Sequence, residues 1–280
     1  MQVQSSQGSW EVKMLWYKLS VIFGLYASLQ AGLPSQHPSS PSYDFTQIIG
    51  GNETYKGQFP YQVSFQEGLL GVFVHFCGGV IISPNFIVTA AHCVLGADYT
   101  SPQGLRVVAG EYDLNHADGD EQKADINFII QHPFFDEITL ENDIALLRLE
   151  TPLVFNEYVA PLELPEQGQN FTSEMCVVTG WGSTREGGGV SHIMRYTEIP
   201  VISDQHCRDF YILDEIFDSM VCAGFDEGHK GSCKGDSGGP LACGSYLTGL
   251  VSWAYGCARP NLPSVFTEVP HFVDWIRSHL

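Results

Sequence analysis

From residue 48 onward the chain is a succession of short runs rich in β-branched, aliphatic and aromatic residues. In the first half these are "FPYQVSF" (59–65), "GVIISPNFIVTA" (79–90), "LRVVAG" (105–110), "INFIIQH" (126–132) and "DIALLRL" (143–149). After a Pro-containing stretch near 152–165 the pattern resumes with "MCVVTGWG" (175–182), "YTEIPVI" (196–202), "YLTGLVSWA" (246–254) and "SVFTEV" (264–269). Gly, Pro and Asn interrupt the runs. Many short strands at close spacing predict antiparallel β structure, as a sandwich or barrels. Only "HFVDWIRSHL" (271–280) reads as helical, with Phe272, Trp275, Ile276 and His279 on one face. No internal repeat is evident, but there are two β-rich halves of similar size, which suit two packed barrels.

The first 47 residues break this pattern. Lys13 and Lys18 precede the apolar run "LSVIFGLYASL" (19–29), followed by "QAG" with Ala31 as a cleavage position. The run is too short to span a bilayer and has the layout of a signal peptide. Residues 1–31 are therefore expected to be removed. Residues 32–47, "GLPSQHPSSPSYDFTQ", are rich in Pro and Ser without periodicity and read as a spacer.

Apolar residues make up 44% of the chain, enough for a real core, and the formal net charge is −19, from 32 acidic and 13 basic residues. Such a surface argues against nucleic acid and anionic membranes as partners. Eight cysteines, Cys77, Cys93, Cys176, Cys207, Cys222, Cys233, Cys243 and Cys257, all follow the signal. In a secreted chain an even number implies disulfides, although eight cysteines allow about a hundred pairings. The spacings in "HFC" (75–77) and "AHC" (91–93) do not match the usual zinc patterns. Asn52 and Asn170 each open an Asn-X-Thr sequon and are candidate glycosylation sites.

Candidate chemistry centres on "GSCKGDSGGPLACG" (231–244), where Ser237 is boxed in by glycines. The stretch has two readings. Gly, Asp and Ser are turn formers. Glycines also let a substrate backbone approach and leave free N–H groups. A serine hydroxyl needs a base, and His is the usual one near neutral pH. Of ten histidines, His92 stands out, because "VTAAHC" places it directly after an apolar run and beside Cys93. Asp143 opens the run "DIALLRL" and so lies at a core edge, where a carboxylate can orient an imidazole.

"IIGG" (48–51), "VTAAHC" (88–93), "DIALL" (143–147) and "GDSGGP" (235–240), in that order, resemble the chymotrypsin/trypsin family of serine endopeptidases. The resemblance covers 48–280. It implies two packed six-stranded antiparallel β-barrels with a C-terminal helix and the catalytic site between them. It implies Ser237 as nucleophile, His92 as general base and then acid, and Asp143 as its orienter, with the N–H groups of Gly235 and Ser237 as oxyanion hole. Ser252, Trp253 and Ala254 resemble the strand that pairs with substrate. The resemblance pairs Cys77 with Cys93, Cys176 with Cys243, Cys207 with Cys222 and Cys233 with Cys257. It makes 32–47 an activation propeptide, released because it holds no cysteine, and it makes the new amino group of Ile48 the partner of Asp236. The residue before Ile48 is Gln47, so a trypsin-like activator does not fit.

Two further expectations follow from the same resemblance. "EYDLNHADGDE" (111–121) is similar to the family's calcium loop, with Glu111 and Glu121 as carboxylate ligands, the carbonyls of Asp113 and His116 beside them, and Asp118 through water. The alternative is a solvated acidic loop. The floor of the specificity pocket falls on Gly231, with Ala254 and Ser264 on the walls and Lys234 at the rim. Trypsin-like members hold an aspartate at that floor, and Gly231 supplies no charge, so small-to-medium apolar residues are the expected preference, with basic ones poor. The chain is thus expected to be a secreted monomeric zymogen acting on proteins and peptides, met by an activating protease and protein inhibitors, with no catalytic cofactor. The alternatives are an inactive homologue acting as a binding protein, and an esterase without peptidase activity.

Overall fold

The computed structural model describes residues 49–280. The expected signal segment, the propeptide and Ile48 lie outside the described residues. Two closed barrels, each of six antiparallel strands, make up the fold. The first barrel contains β2 (Gln62–Leu69), β3 (Val72–Ser83), β4 (Phe86–Thr89), β5 (Leu105–Ala109), β6 (Gln122–Gln131) and β7 (Ala145–Leu149), in the order β2-β3-β4-β7-β6-β5 with β5 closing on β2. The second contains β8 (Met175–Gly180), β9 (Arg195–Ile202), β10 (Met220–Ala223), β11 (Pro240–Cys243), β12 (Tyr246–Trp253) and β13 (Ser264–Glu268). Its order is β9-β10-β13-β12-β11-β8, closed by β8 against β9. A two-residue strand, β1 (Asn52–Glu53), precedes the first barrel yet pairs with β9 of the second. The buried Arg195 guanidinium meets the Glu53 carboxylate there at 2.8 Å.

The solid apolar runs have a definite cause. In β4 every residue is buried, as are four of the five in β7. Successive side chains of a strand face opposite ways. Ile87, Ala145 and Leu147 therefore fill the first barrel, while Phe86, Val88, Ile144 and Leu146 face outward onto Leu162, Leu247, Leu250 and Phe272. These strands are covered on both faces because they lie where the barrels meet. The second barrel has its own core around Val178, Ile199, Leu241 and Phe266. Each such side chain contributes about 1.5–3 kcal/mol on full burial.

Two helices complete the described fold. The helix α2 (Val269–Arg277) carries Pro270 in its first turn and buries Val269, Phe272, Val273 and Ile276, at the spacing of one helical face. Trp275 is half-buried against the same core, but His279 lies beyond the helix end and caps it, with Nδ1 2.8 Å from the Trp275 carbonyl. The helix α1 (Asp204–Phe210) does not follow from the apolar pattern. Its signal is polar instead. Ser203 accepts a hydrogen bond from the His206 N–H at 3.2 Å as N-cap, Asp204 sits in the first turn, and Cys207 is buried.

Candidate active site

Antiparallel pairing of β4 with β7 sets Thr89 opposite Ala145. The chain leaving β4 forms a short 3-10 turn, Ala91–Val94, that carries His92, and the chain entering β7 carries Asp143. The pairing therefore delivers both side chains to one end of the first barrel. Asp143 Oδ1 accepts from the His92 backbone N–H at 2.8 Å. Asp143 Oδ2 is 2.7 Å from His92 Nδ1 and accepts from the Ser252 hydroxyl at 2.6 Å. The Thr267 hydroxyl donates to the Asp143 carbonyl at 2.6 Å. Asp143 is 1% exposed, and its buried carboxylate oxygens are met by the His92 backbone N–H, the His92 ring and the Ser252 hydroxyl. These contacts fix the imidazole with Nδ1 as the protonated nitrogen, leaving Nε2 free to act as a base.

Ser237 comes from the second barrel, just before β11. Its carbonyl accepts from Gly78 N–H of β3 at 2.7 Å. His92 and Ser237 line one cleft of about 670 Å³, together with Phe76, Leu95, Leu105 and the Cys77–Cys93 cystine. A second depression of about 750 Å³, at Glu141, Arg208 and Asp218, contains none of these side chains. Gly235 has φ +99°, a conformation that favours glycine, and a Cβ there would crowd Gly182 Cα at 3.1 Å as well as Val190 Cγ1 at 2.8 Å.

His75 joins the site without being among the catalytic or binding residues expected from the sequence, where it figures only beside Cys77 in a rejected zinc spacing. It is buried, with Nδ1 2.9 Å from the Ser64 hydroxyl and Nε2 3.0 Å from the Gly235 carbonyl. Nε2–H donates to that carbonyl, and Nδ1 accepts from Ser64. Burial holds its pKa below the ordinary histidine value. A neutral ring thus fixes the peptide that precedes Asp236. The available signal is a histidine inside the apolar strand β3.

Asp236 is 1% exposed and accepts from Gly182 N–H at 2.7 Å and Cys233 N–H at 2.9 Å. Burial pushes its carboxyl up to about 7 against the pull of those two donors. Among the described residues it has no cationic partner.

The remaining expected positions are brought together in part. Gly231, Ser232 and Ser264 are buried side by side, with the Ser232 hydroxyl donating to Ser264 Oγ at 2.9 Å, and a Cβ on Gly231 would stand 3.3 Å from Ser264 Oγ. Asp226, near in sequence, pairs with His206 at 2.9 Å. Lys234 is exposed, and Ala254 and Trp253 are half-buried. The four disulfides are Cys77–Cys93, Cys176–Cys243, Cys207–Cys222 and Cys233–Cys257, as the resemblance implied. Cys77, His92 and Cys93 lie within reach of one ion, but a cystine offers no thiolate. Asn52 and Asn170 are both exposed.

The acidic loop differs from the expected ligand set. The carboxylates within reach of a single ion are Asp118, Asp120 and Glu121; Glu111 stands outside that group. Lys56 Nζ lies 2.8 Å from Asp118 and 2.5 Å from Asp120. Glu121 accepts from the backbone N–H groups of Asp118 (2.6 Å) and Gly119 (3.0 Å). Glu111 is half-buried, and burial, then the charges of Glu121 and Asp113, push its carboxyl up to about 7.

Residues 48–276 match the family model described as Trypsin. The chain belongs to the trypsin family of serine endopeptidases. A trypsin-1 of the crayfish Astacus astacus is 52% identical over 236 residues, covering 83% of this chain and 99% of that protein. A trypsin of the dogfish Squalus acanthias is 40% identical over 233 residues, covering 83% and 96%. An anionic trypsin of the dog is 39% identical over 241 residues, covering 86% and 92%. Membership in the trypsin family sets the reaction type, and its hydrolytic chemistry needs no catalytic cofactor.

Proposed function

We propose that this trypsin-family protein is a secreted monomeric endopeptidase, made as a zymogen, in which Ser237, His92 and Asp143 act together. Ser237 Oγ attacks the scissile carbonyl while His92 Nε2 takes its proton. Asp143 keeps the other ring nitrogen protonated and stabilises the imidazolium. The N–H groups of Gly235 and Ser237 receive the oxyanion, each donor lowering the barrier by about 3–4 kcal/mol. His92 then protonates the leaving amine, and water releases the acyl group by the same route in reverse. The observation that carries this reading is the buried Asp143 bonded to His92 on the wall of the cleft that also holds Ser237. A fluorophosphonate serine probe is expected to label the mature enzyme at Ser237 and to leave Ser237→Ala unlabelled. An unlabelled mature enzyme would favour an inactive binding homologue instead.

Removal of residues 1–31 as a signal and of 32–47 as a propeptide is proposed to expose the amino group of Ile48. The buried, cation-poor Asp236 supports this, since an ammonium there would compensate its charge. The protease cutting after Gln47 is expected to be other than a basic-specific one, and protein inhibitors are expected to share the substrate cleft.

The proposed preference is for small-to-medium apolar residues before the scissile bond. Its support is that Gly231, the expected floor, adjoins the Ser232 and Ser264 hydroxyls, which among the described residues bond to each other and to no carboxylate. A buried cation without a counter-charge is costly. The names of the relatives favour the other reading, cleavage after Lys or Arg, and Arg peptides discriminate between the two.

The acidic loop is proposed as a structural Ca²⁺ site in which Glu121 and Asp118, two of the three carboxylates within reach of a single ion, are the ligands, Glu111 of the expected set standing outside that group. Oxygen chemistry supports it; Lys56, which already neutralises Asp118 and Asp120, is the competing device. Chelation is expected to lower Tm by several degrees, reversed by added Ca²⁺, because a ligand of the folded state stabilises it by mass action. An unchanged Tm would assign the neutralisation to Lys56.

A further inference from the structure

Thr179 in β8, fully buried, donates its hydroxyl to Gln62 Oε1 at 2.5 Å. That bond joins the two barrels, because Gln62 opens β2 of the first. Gln62 is itself 1% exposed, and its Nε2 has no protein partner among the described residues. The amide nitrogen lies against the glycines that seat the nucleophile. A Cβ on Gly78 would stand 2.9 Å from it, and one on Gly239 3.4 Å.

Gly78 and Gly239 matter because of what they hold. Gly78 N–H binds the Ser237 carbonyl at 2.7 Å, and Gly78 O accepts from the Thr89 hydroxyl at 2.8 Å. Gly239 N–H binds the Asp236 carbonyl at 2.8 Å. Cys77, next to Gly78, is disulfide-bonded to Cys93, next to His92. One short segment of β3 therefore tethers the serine loop and, through the cystine, the histidine turn. An incompletely satisfied buried amide costs free energy that an apolar side chain of the same size would avoid. Volume alone does not account for a glutamine here.

We propose that Gln62 is a positioning residue for Ser237: anchored by Thr179 of the second barrel, its amide is the spacer that sets where the nucleophile loop rests on the first. The proposal builds on the reading of Ser237 as nucleophile. It acts through the Ser237–His92 separation, to which the reaction is steep, since a displacement of about 1 Å can cost roughly a hundredfold.

The test uses the mature enzyme with Gln62→Met, which keeps the volume, Thr179→Val, which removes the donor alone, and the double variant. Serine-probe labelling rate per folded molecule, kcat, KM and Tm are measured well below each Tm. Both single variants are expected to acylate at least roughly tenfold more slowly with KM nearly unchanged, and the double variant to be no slower than either single, since the two side chains act as one unit. Labelling at the parent rate in Thr179→Val, additive losses, or losses that follow Tm alone would overturn the proposal. A structural role moves Tm and the folded fraction, not the rate per folded molecule. If Gln62→Met does not fold, Thr179→Val carries the test. A parent enzyme that is not labelled at Ser237 overturns the nucleophile reading first, and the positioning proposal with it.

Discussion

Asp236 is where a single residue ties pH to folding. Its carboxyl is held up to about 7 in the fold, against an ordinary value of 3.8, because burial disfavours the charge. The folded state therefore binds more protons than the unfolded chain between those values, and stability falls as pH rises through that window. Every tenfold difference in proton affinity between the two states corresponds to about 1.4 kcal/mol. Uncleaved Ser237→Ala protein is expected to lose resistance to urea between about pH 4 and 7. Adding Asp236→Asn should flatten the loss, and so should cleavage before Ile48 if its ammonium compensates the carboxylate as proposed. Equal pH curves with and without Asp236→Asn would contradict this; Glu111 and Glu268, also pushed up to about 7 by burial, contribute to both and cancel in the comparison. Among single residues, His92, Asp143 and Ser237 stand out in the sequence as candidates because motif and context agree. His75 and Gln62 do not, because their importance lies in contacts 160 and 117 residues away along the chain.

At the scale of elements, the sequence carries most of the β structure because runs covered on both faces, such as β4 and β7, stay apolar without alternating. The helix α1 escapes because it buries only Cys207 and is marked by its cap instead. The 3-10 turn bearing His92 has no side-chain cap of its own. Its anchors are Asp143 on the backbone N–H and the Cys77–Cys93 cystine. Replacing both cysteines by alanine is expected to cost about 3 kcal/mol, the loop-closure value for a short loop. It should also lower kcat more than KM, since the turn and Gly78 share that anchor. Urea unfolding and steady-state kinetics on the same variant check both, and unchanged kcat would show that the hydrogen bonds alone hold the turn.

The described molecule is two barrels, and the proposed chemistry sits at their contact, with His92 and Asp143 from one and Ser237 from the other. That division explains why the site is readable as three separate motifs while its geometry is not: strand pairing in one barrel and docking of the other bring them together. The proposed preference for what is cut belongs to this scale too, since the expected pocket residues Gly231, Ala254 and Ser264 come from separate segments of the second barrel. The most direct measurement is kcat/KM for otherwise identical peptides carrying Leu, Phe, Ala or Arg before the scissile bond, with Ser237→Ala as the blank. Burying an unpaired cation costs more than the roughly 1–3 kcal/mol that separates apolar groups differing by a methylene. Hydrolysis is expected to depend on Ser237, with an apolar residue as the best substrate and Arg slower by about tenfold or more; Arg as the best substrate, or no hydrolysis of any peptide by the mature enzyme, would contradict it.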